Sequence, residues 1–186
     1  EKEAATKLIS NGCKLISQHA DSMGAPTACE NANPKVPNVS YNGSTVAACP
    51  NTFIISSRIN WAPYFEYIIN CVANGEEIAA DWCKGIADGS VELSEINDKA
   101  AAAGTAEKIE EVKAGLADGS IKVFDTDNFT VNGEKLTSYM ADVDTDAAYE
   151  KDTEAISDGY FHESEYRSAP YFDLRIDGIT LLNEKF

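Results

Sequence analysis

The chain has 186 residues, 44% of them hydrophobic, which is enough length and apolar content to bury the core of one domain or slightly more. Its 31 acidic residues against 15 basic ones leave a formal net charge of -16, and this argues against nucleic acid or an anionic membrane as a partner, since both demand clustered lysine and arginine. No apolar run approaches the roughly 20 residues that span a bilayer.

The opening residues read as a helix over 1–11, with Ala4, Ala5, Leu8 and Ile9 on one face and Asn11-Gly12 as its stop. A strand is expected over 14–18, followed by a helix through Glu30 that Asp21 or Ser22 would cap. Asn33-Pro34 and Pro37 mark a loop into a strand over 39–41, which Asn42-Gly43-Ser44 ends. A further strand covers 53–57. Asn60 then caps a strongly apolar helix over 61–73, with Pro63 in its first turn and Asn74-Gly75 as its stop. A strand-like piece over 86–93 is echoed over 116–123, where an Asp-Gly turn again feeds apolar residues, and a charged amphipathic helix lies between them from Thr105. From Phe124 the chain is polar and turn-rich, and its last part is too aromatic to be a solvated terminus, so it must pack.

Alternating strands and helices predict an α/β fold with a mainly parallel, doubly wound sheet and helices on both faces. A lobe over 1–123 and a C-terminal segment over 124–186 packing back on it are the expected domains. The opening helix has no strand before it, which leads us to expect sheet-forming sequence upstream of Glu1.

The five cysteines, Cys13, Cys29, Cys49, Cys71 and Cys83, contain no CxxC pair and have two histidines for company, so neither a zinc site nor a disulfide framework is expected; they read as small buried thiols. Asp142-Val-Asp-Thr-Asp opens like a calcium loop but has Ala147 at the glycine position and Thr153 at the terminal glutamate position, so we read it as a solvated acidic loop. No GxGxxG or GxxxxGK[ST] phosphate cradle occurs. No metal and no cofactor is expected.

Ligands of open α/β sheets bind outside the carboxyl ends of the strands, which directs attention to two junctions. The first carries His19, Asp21 and Ser22, where Asp21 could meet a ligand's amine or hydroxyl or simply cap the helix. The second carries Arg58 and Trp61. An arginine ending an apolar strand needs an anionic or ligand partner, or a structural salt bridge; Trp61 could stack a planar ring or belong to the core. No serine or cysteine on a Gly-x-Ser-x-Gly elbow stands near His19, which leaves a nucleophilic triad there without support.

Four stretches, Gln18-His-Ala-Asp-Ser-Met-Gly, Pro37-Asn-Val-Ser-Tyr-Asn-Gly-Ser, Asn51-Thr-Phe-Ile-Ile-Ser-Ser-Arg-Ile-Asn-Trp-Ala-Pro-Tyr and Phe161-His-Glu-Ser-Glu-Tyr-Arg-Ser-Ala-Pro-Tyr-Phe, resemble the basic membrane protein (BMP) family of PnrA-like substrate-binding lipoproteins of ABC importers. The resemblance implies the second lobe of a type I periplasmic-binding-protein fold, with the first lobe, the lipid anchor and the first strand of this lobe upstream. It implies a non-enzymatic protein that closes on a purine base or nucleoside and delivers it to ABC permease subunits from an extracytoplasmic position, either the cell surface or the periplasm. Membrane association would come through the N-terminal lipid anchor alone.

Carried onto this chain, the resemblance makes His19, Asp21, Ser22, Asn42, Arg58 and Trp61 the ligand-binding set, with Arg58 in the place of a lysine and Trp61 in the role of the aromatic stacker. Asn42 stands where nucleoside binders carry aspartate. A carboxylate accepts two hydrogen bonds from a ribose diol, whereas an amide brings one acceptor and its own donors, so the set leans towards a free base. Two other classes stay open: a ligand-sensing domain of a signalling system, and a small-molecule enzyme using Asp21 and His19.

Overall fold

The structure is a computed structural model and describes residues 1–144, 146–167 and 171–183. It divides into two compact units, Glu1–Phe65 with Gly85–Ala114, and Glu66–Lys84 with the residues from Gly115 onward.

The first unit opens with α1 (Lys2–Ser10), which ends because Gly12 adopts φ +97° and lets the Gly12 and Cys13 amides return to the Ile9 and Leu8 carbonyls. The expected strand over 14–18 is reduced to β1 (Ile16–Ser17), although Gln18 still donates its amide to Val39 O. Then follow α2 (Gly24–Asn31), β2 (Asn38–Tyr41) and β3 (Phe53–Ile59). Neither Asp21 nor Ser22 is the N-cap of α2. That position is Met23, without a side-chain cap, and Ser22 Oγ instead accepts the Gly24 amide at 3.1 Å. The reason is spacing: the 20–23 turn delays the helix past both residues. Helix α3 (Ala62–Asn74) starts in this unit, with Asn60 Oδ1 accepting the Ala62 amide as expected of a capping residue.

Strand β4 (Val91–Leu93) completes a four-stranded sheet of order β1-β2-β3-β4, in which the first two pairings are parallel and β3-β4 is antiparallel. The chain therefore has the expected α/β architecture with a parallel-rich sheet. Adjacent Ile55 and Ser56 are both buried, so both faces of β3 are covered, as parallel strands require. One core cluster joins Ala5 of α1, Ile16 of β1, and Ala25, Ala28 and Cys29 of α2.

The buried side of β2 is polar. Asn38 and Ser40 are 0% and 2% exposed, and they are satisfied by a chain of bonds. Asn38 Nδ2 donates to Ile16 O, Ser40 Oγ donates to Asn38 Oδ1, Ser40 Oγ meets Thr45 Oγ1, and Ser56 Oγ donates to Gly43 O. Each buried polar atom in that string finds a partner, so it fixes the 42–45 turn over the sheet without a desolvation penalty.

Helix α4 (Thr105–Asp118) leads into the second unit. The expected strand over 116–123 does not form. Leu116, Ala117 and Asp118 finish the helix, Gly119 turns the chain, and among the described residues 120–123 belong to no strand. The chain first meets the Tyr160–Phe161 segment where Phe124 O accepts the Phe161 amide and Asp125 bridges Tyr160. Four two-residue strands form two small antiparallel ladders, β5 (Met140–Ala141) with β6 (Thr153–Glu154), and β7 (Ile156–Ser157) with β8 (Tyr160–Phe161). The aromatic tail packs, as its composition requires. Phe161 meets Phe172 edge-on at 4.7 Å between ring centroids, and Phe124 stacks on Phe172 at 5.3 Å. Ser168, Ala169 and Pro170 of the tail stretch, Thr145 of the acidic loop and the last three residues lie outside the described residues. No helix among the described residues is long and apolar enough to cross a membrane.

Of the five thiols, Cys29, Cys49 and Cys71 are buried as expected, Cys13 is half-buried, and Cys83 is exposed.

Candidate functional site

Because β1, β2 and β3 run parallel and side by side, their carboxyl ends share one edge of the sheet, and the residues that follow each strand gather there. Five of the six residues expected to bind ligand lie in these following segments, and Arg58 is the penultimate residue of β3 itself.

After β1, the register that pairs Ser17 with Val39 carries His19 opposite Tyr41. The two rings stack at 3.9 Å with an interplanar angle of 24°. Gln18 is folded inward, donating to Ala20 O and Ser22 O. Asp21 is exposed and makes no side-chain hydrogen bond among the described residues. Ser22 donates to the Glu1 carboxylate, so its hydroxyl is engaged.

After β2, Asn42 takes φ +66°, a left-handed conformation that asparagine tolerates, while its amide donates to Ser57 O at 2.7 Å. This turn sends the chain away from the sheet and leaves the Asn42 side chain exposed at the edge.

At the end of β3, Arg58 is paired. Its Nε and Nη2 both donate to Glu92 Oε2, at 2.9 and 2.6 Å, and the pairing is set by the β3-β4 register, which places Arg58 opposite Glu92. Glu92 Oε1 accepts a third bond from Asn60 Nδ2, which also donates to Gly89 O. Trp61 is 55% exposed, with Tyr64 and Phe65 beside it at 6.1 and 6.3 Å, and does not enter the core. Phe65, Ile69 and Val72 along α3 are exposed as well, so the apolar pattern of that helix does not mark a buried face.

Side-chain contacts link His19, Ser22, Arg58 and Trp61 each to a neighbour outside the set, and none of the six to another among the described residues. Three residues that sequence reasoning did not count as ligand-binding adjoin the candidates. Tyr41 supports His19, and Glu92 with Asn60 holds Arg58. The signal for Glu92 was present, a carboxylate between two apolar residues of a strand, but its partner could be assigned only from the register. No group of three or more His, Cys, Asp or Glu that could hold a metal occurs among the described residues.

The arrangement has a definite chemistry. The Arg58 charge is balanced by Glu92 and the Asn60 amide is spent on Gly89, Glu92 and Ala62, so what this part of the edge offers is the exposed Asn42 amide beside exposed aromatic rings. A second carboxylate knot lies on the same lobe. Glu30 at the end of α2 accepts from Lys35 Nζ at 2.8 Å, from the Asn51 amide at 3.1 Å and from Thr52 Oγ1 at 2.8 Å, and thereby holds the turn before β3 in place.

Residues 1–125 match the family model Bmp, described as ABC transporter substrate-binding protein PnrA-like. No curated protein matches the chain. Solved structures that resemble it include an ABC transporter system solute-binding protein from Conexibacter woesei DSM 14684 and ABC transporter system solute-binding proteins from Aeropyrum pernix K1. The first is 17% identical with TM-score 0.46, covering 66% of this chain and 41% of that one; the second is 17% identical with TM-score 0.48, covering 66% and 43%. The chain thus spans about two fifths of the length of these proteins.

Proposed function

Since the chain belongs to the Bmp family of PnrA-like ABC transporter substrate-binding proteins, we propose that it is part of the solute-binding component of an ABC importer and takes a purine base, or less readily a nucleoside, at the carboxyl edge of its sheet. The observation that carries this reading is the gathering at one sheet edge of the neutral Asn42 amide and exposed aromatic rings. A flat, uncharged, polar heterocycle is satisfied by stacking and a few amide bonds, whereas an anion would need an unbalanced cation. Trp61 and the His19-Tyr41 pair supply rings, Asn42 supplies an amide, and Asp21 supplies an acceptor for an exocyclic amine.

In this role the protein is non-catalytic: it closes over its ligand and releases it unchanged. The closing partner would be a first lobe upstream in the same protein, the delivery partners would be ABC permease subunits, and the position would be extracytoplasmic, held by an N-terminal lipid anchor.

Calorimetry of the protein carrying that first lobe, against adenine, guanine, adenosine and guanosine, tests the reading. We expect saturable binding of at least one purine, and a loss of about 1–3 kcal/mol on Asp21→Ala or Arg58→Ala with the melting temperature nearly unchanged. No binding of any of the four, or variants that melt early while keeping full affinity, would overturn it.

A further inference from the structure

The second unit holds a constellation that solute binding does not use and that lies beyond the family match. Ser157 Oγ is 2.6 Å from His162 Nε2, and His162 Nδ1 is 2.7 Å from Glu165 Oε2. From this geometry we propose that Ser157, His162 and Glu165 form a serine nucleophile, its base and a positioning carboxylate, giving the C-terminal segment an esterase activity toward short-chain carboxylic esters.

The local fold explains why the three groups meet. Strands β7 and β8 are joined by Asp158-Gly159, with φ +52° and +83°, the tight two-residue turn that a right-twisted hairpin favours. Pairing Ser157 with Tyr160 puts the serine at the turn end of the ladder, where it is exposed, and the residues after the turn bring His162 back against it. The imidazole is 7% exposed and held by rings: Tyr160 at 4.0 Å and Tyr166 at 5.7 Å. Glu165 reaches it from the turn that follows. The serine is thus accessible to substrate while its base is shielded, which is the division of exposure that such a site needs.

The hydrogen-bond assignment follows from the partners. A carboxylate accepts, so Nδ1 carries the proton, and Nε2 is left to accept from the serine hydroxyl. Ser157 Oγ attacks the ester carbonyl carbon and its proton passes to His162 Nε2; the tetrahedral intermediate then expels the alcohol, which takes that proton from Nε2. Water repeats the sequence on the acyl-serine, releasing the carboxylic acid and restoring Ser157, so that ester and water give acid and alcohol with no other reactant. The negative oxygen of the intermediate would meet the backbone amides of Asp158 and Gly159, which donate no hydrogen bond among the described residues. The first of them is the residue after the nucleophile, the position that supplies an oxyanion donor in α/β-hydrolases. The charged groups facing the imidazole and its flanking rings are Glu165 and Lys122, whose Nζ sits 4.4 Å over the Tyr160 ring.

The test uses the full chain and two probes, a fluorophosphonate and p-nitrophenyl acetate. Labelling should add one adduct at Ser157, located by peptide mass spectrometry, and Ser157→Ala should abolish it; as Ser157 is exposed, that variant should keep its circular dichroism and melting temperature. His162→Gln should lower the labelling rate at least tenfold. Glu165→Gln should lower it less and shift the pH midpoint of labelling, which a merely structural role would leave in place. Absence of labelling, labelling elsewhere, or ester hydrolysis by the folded Ser157→Ala protein at the wild-type rate would overturn the proposal and leave the three residues as a hairpin clamp.

Discussion

Replacing Glu30 by glutamine should destabilise the first unit by about 2 kcal/mol at pH 7, and the effect should shrink in acid. Burial of the Glu30 carboxylate works to raise its pKa, but hydrogen bonds from the Asn51 side chain, Lys35, Thr52 and the Asn51 amide outweigh it and hold the group at about 2 rather than 4.5. At about 1.36 kcal/mol per pH unit, the fall from 4.5 to about 2 sets a ceiling of about 3.4 kcal/mol on what ionisation of this carboxylate contributes to folding. The Lys35 side chain is 47% exposed and that of Glu30 13%, and solvent screening of that arm brings the figure down to about 2 kcal/mol.

The sign follows from the direction of the shift. A carboxylate depressed in the folded state stabilises it above the unfolded value of 4.5, and that contribution is lost as pH falls through 4.5 towards 2. Less than half should remain at about pH 3. Urea unfolding of wild type and Glu30→Gln, followed by far-ultraviolet circular dichroism at pH 7, 5 and 3, measures the difference at each pH. A gap below about 0.5 kcal/mol at pH 7, or a gap of equal size at pH 7 and pH 3, would show that the charge of this carboxylate does not hold α2 to the turn before β3.

Asn42→Asp should move ligand preference from purine base towards nucleoside, because the second carboxylate oxygen can accept from a ribose diol and aspartate tolerates the same left-handed backbone. Competition calorimetry reads the shift, and a wild-type protein that already binds adenosine more than about tenfold tighter than adenine would remove its basis. Among the thiols, burial is the main cause that pushes Cys29 up to about 11, with Cys49 adding to it, and burial also raises Cys49. Iodoacetamide at pH 8 should therefore alkylate exposed Cys83 well before Cys29 or Cys49, an order that mass spectrometry can follow; early modification of Cys29 would contradict its burial on the core face of α2.

What could be read directly from the sequence is what local chemistry decides. Asn11-Gly12 stops α1 and Asn74-Gly75 stops α3, where Gly75 takes φ +69° and the Glu76 amide returns to Cys71 O at 2.8 Å. Those stops, with the apolar run that forms β3, located the strand ends and hence the edge at which the candidate residues lie. Strand lengths were less legible, because a ladder needs a partner at each position. Residues 120–123 have none among the described residues and stay irregular, while the polar Asn38 and Ser40 of β2 are buried in a sheet that satisfies them.

Register explains what the sequence hid. Arg58 and Glu92 are 34 residues apart, and only the antiparallel pairing of β3 with β4 makes them neighbours. A motif search around His19 for a serine on an elbow could not find Ser157, because that serine meets His162 through a hairpin whose turn chemistry, Asp158-Gly159, is plain while its consequence is not. The turn sets the pairing of Ile156 with Phe161 and of Ser157 with Tyr160, and the pairing decides which side chains face each other. A one-residue slip of that pairing would carry Ser157 to the opposite side of the ladder and away from the imidazole. The esterase proposal therefore depends on the Asp158-Gly159 turn as much as on the three side chains it brings together.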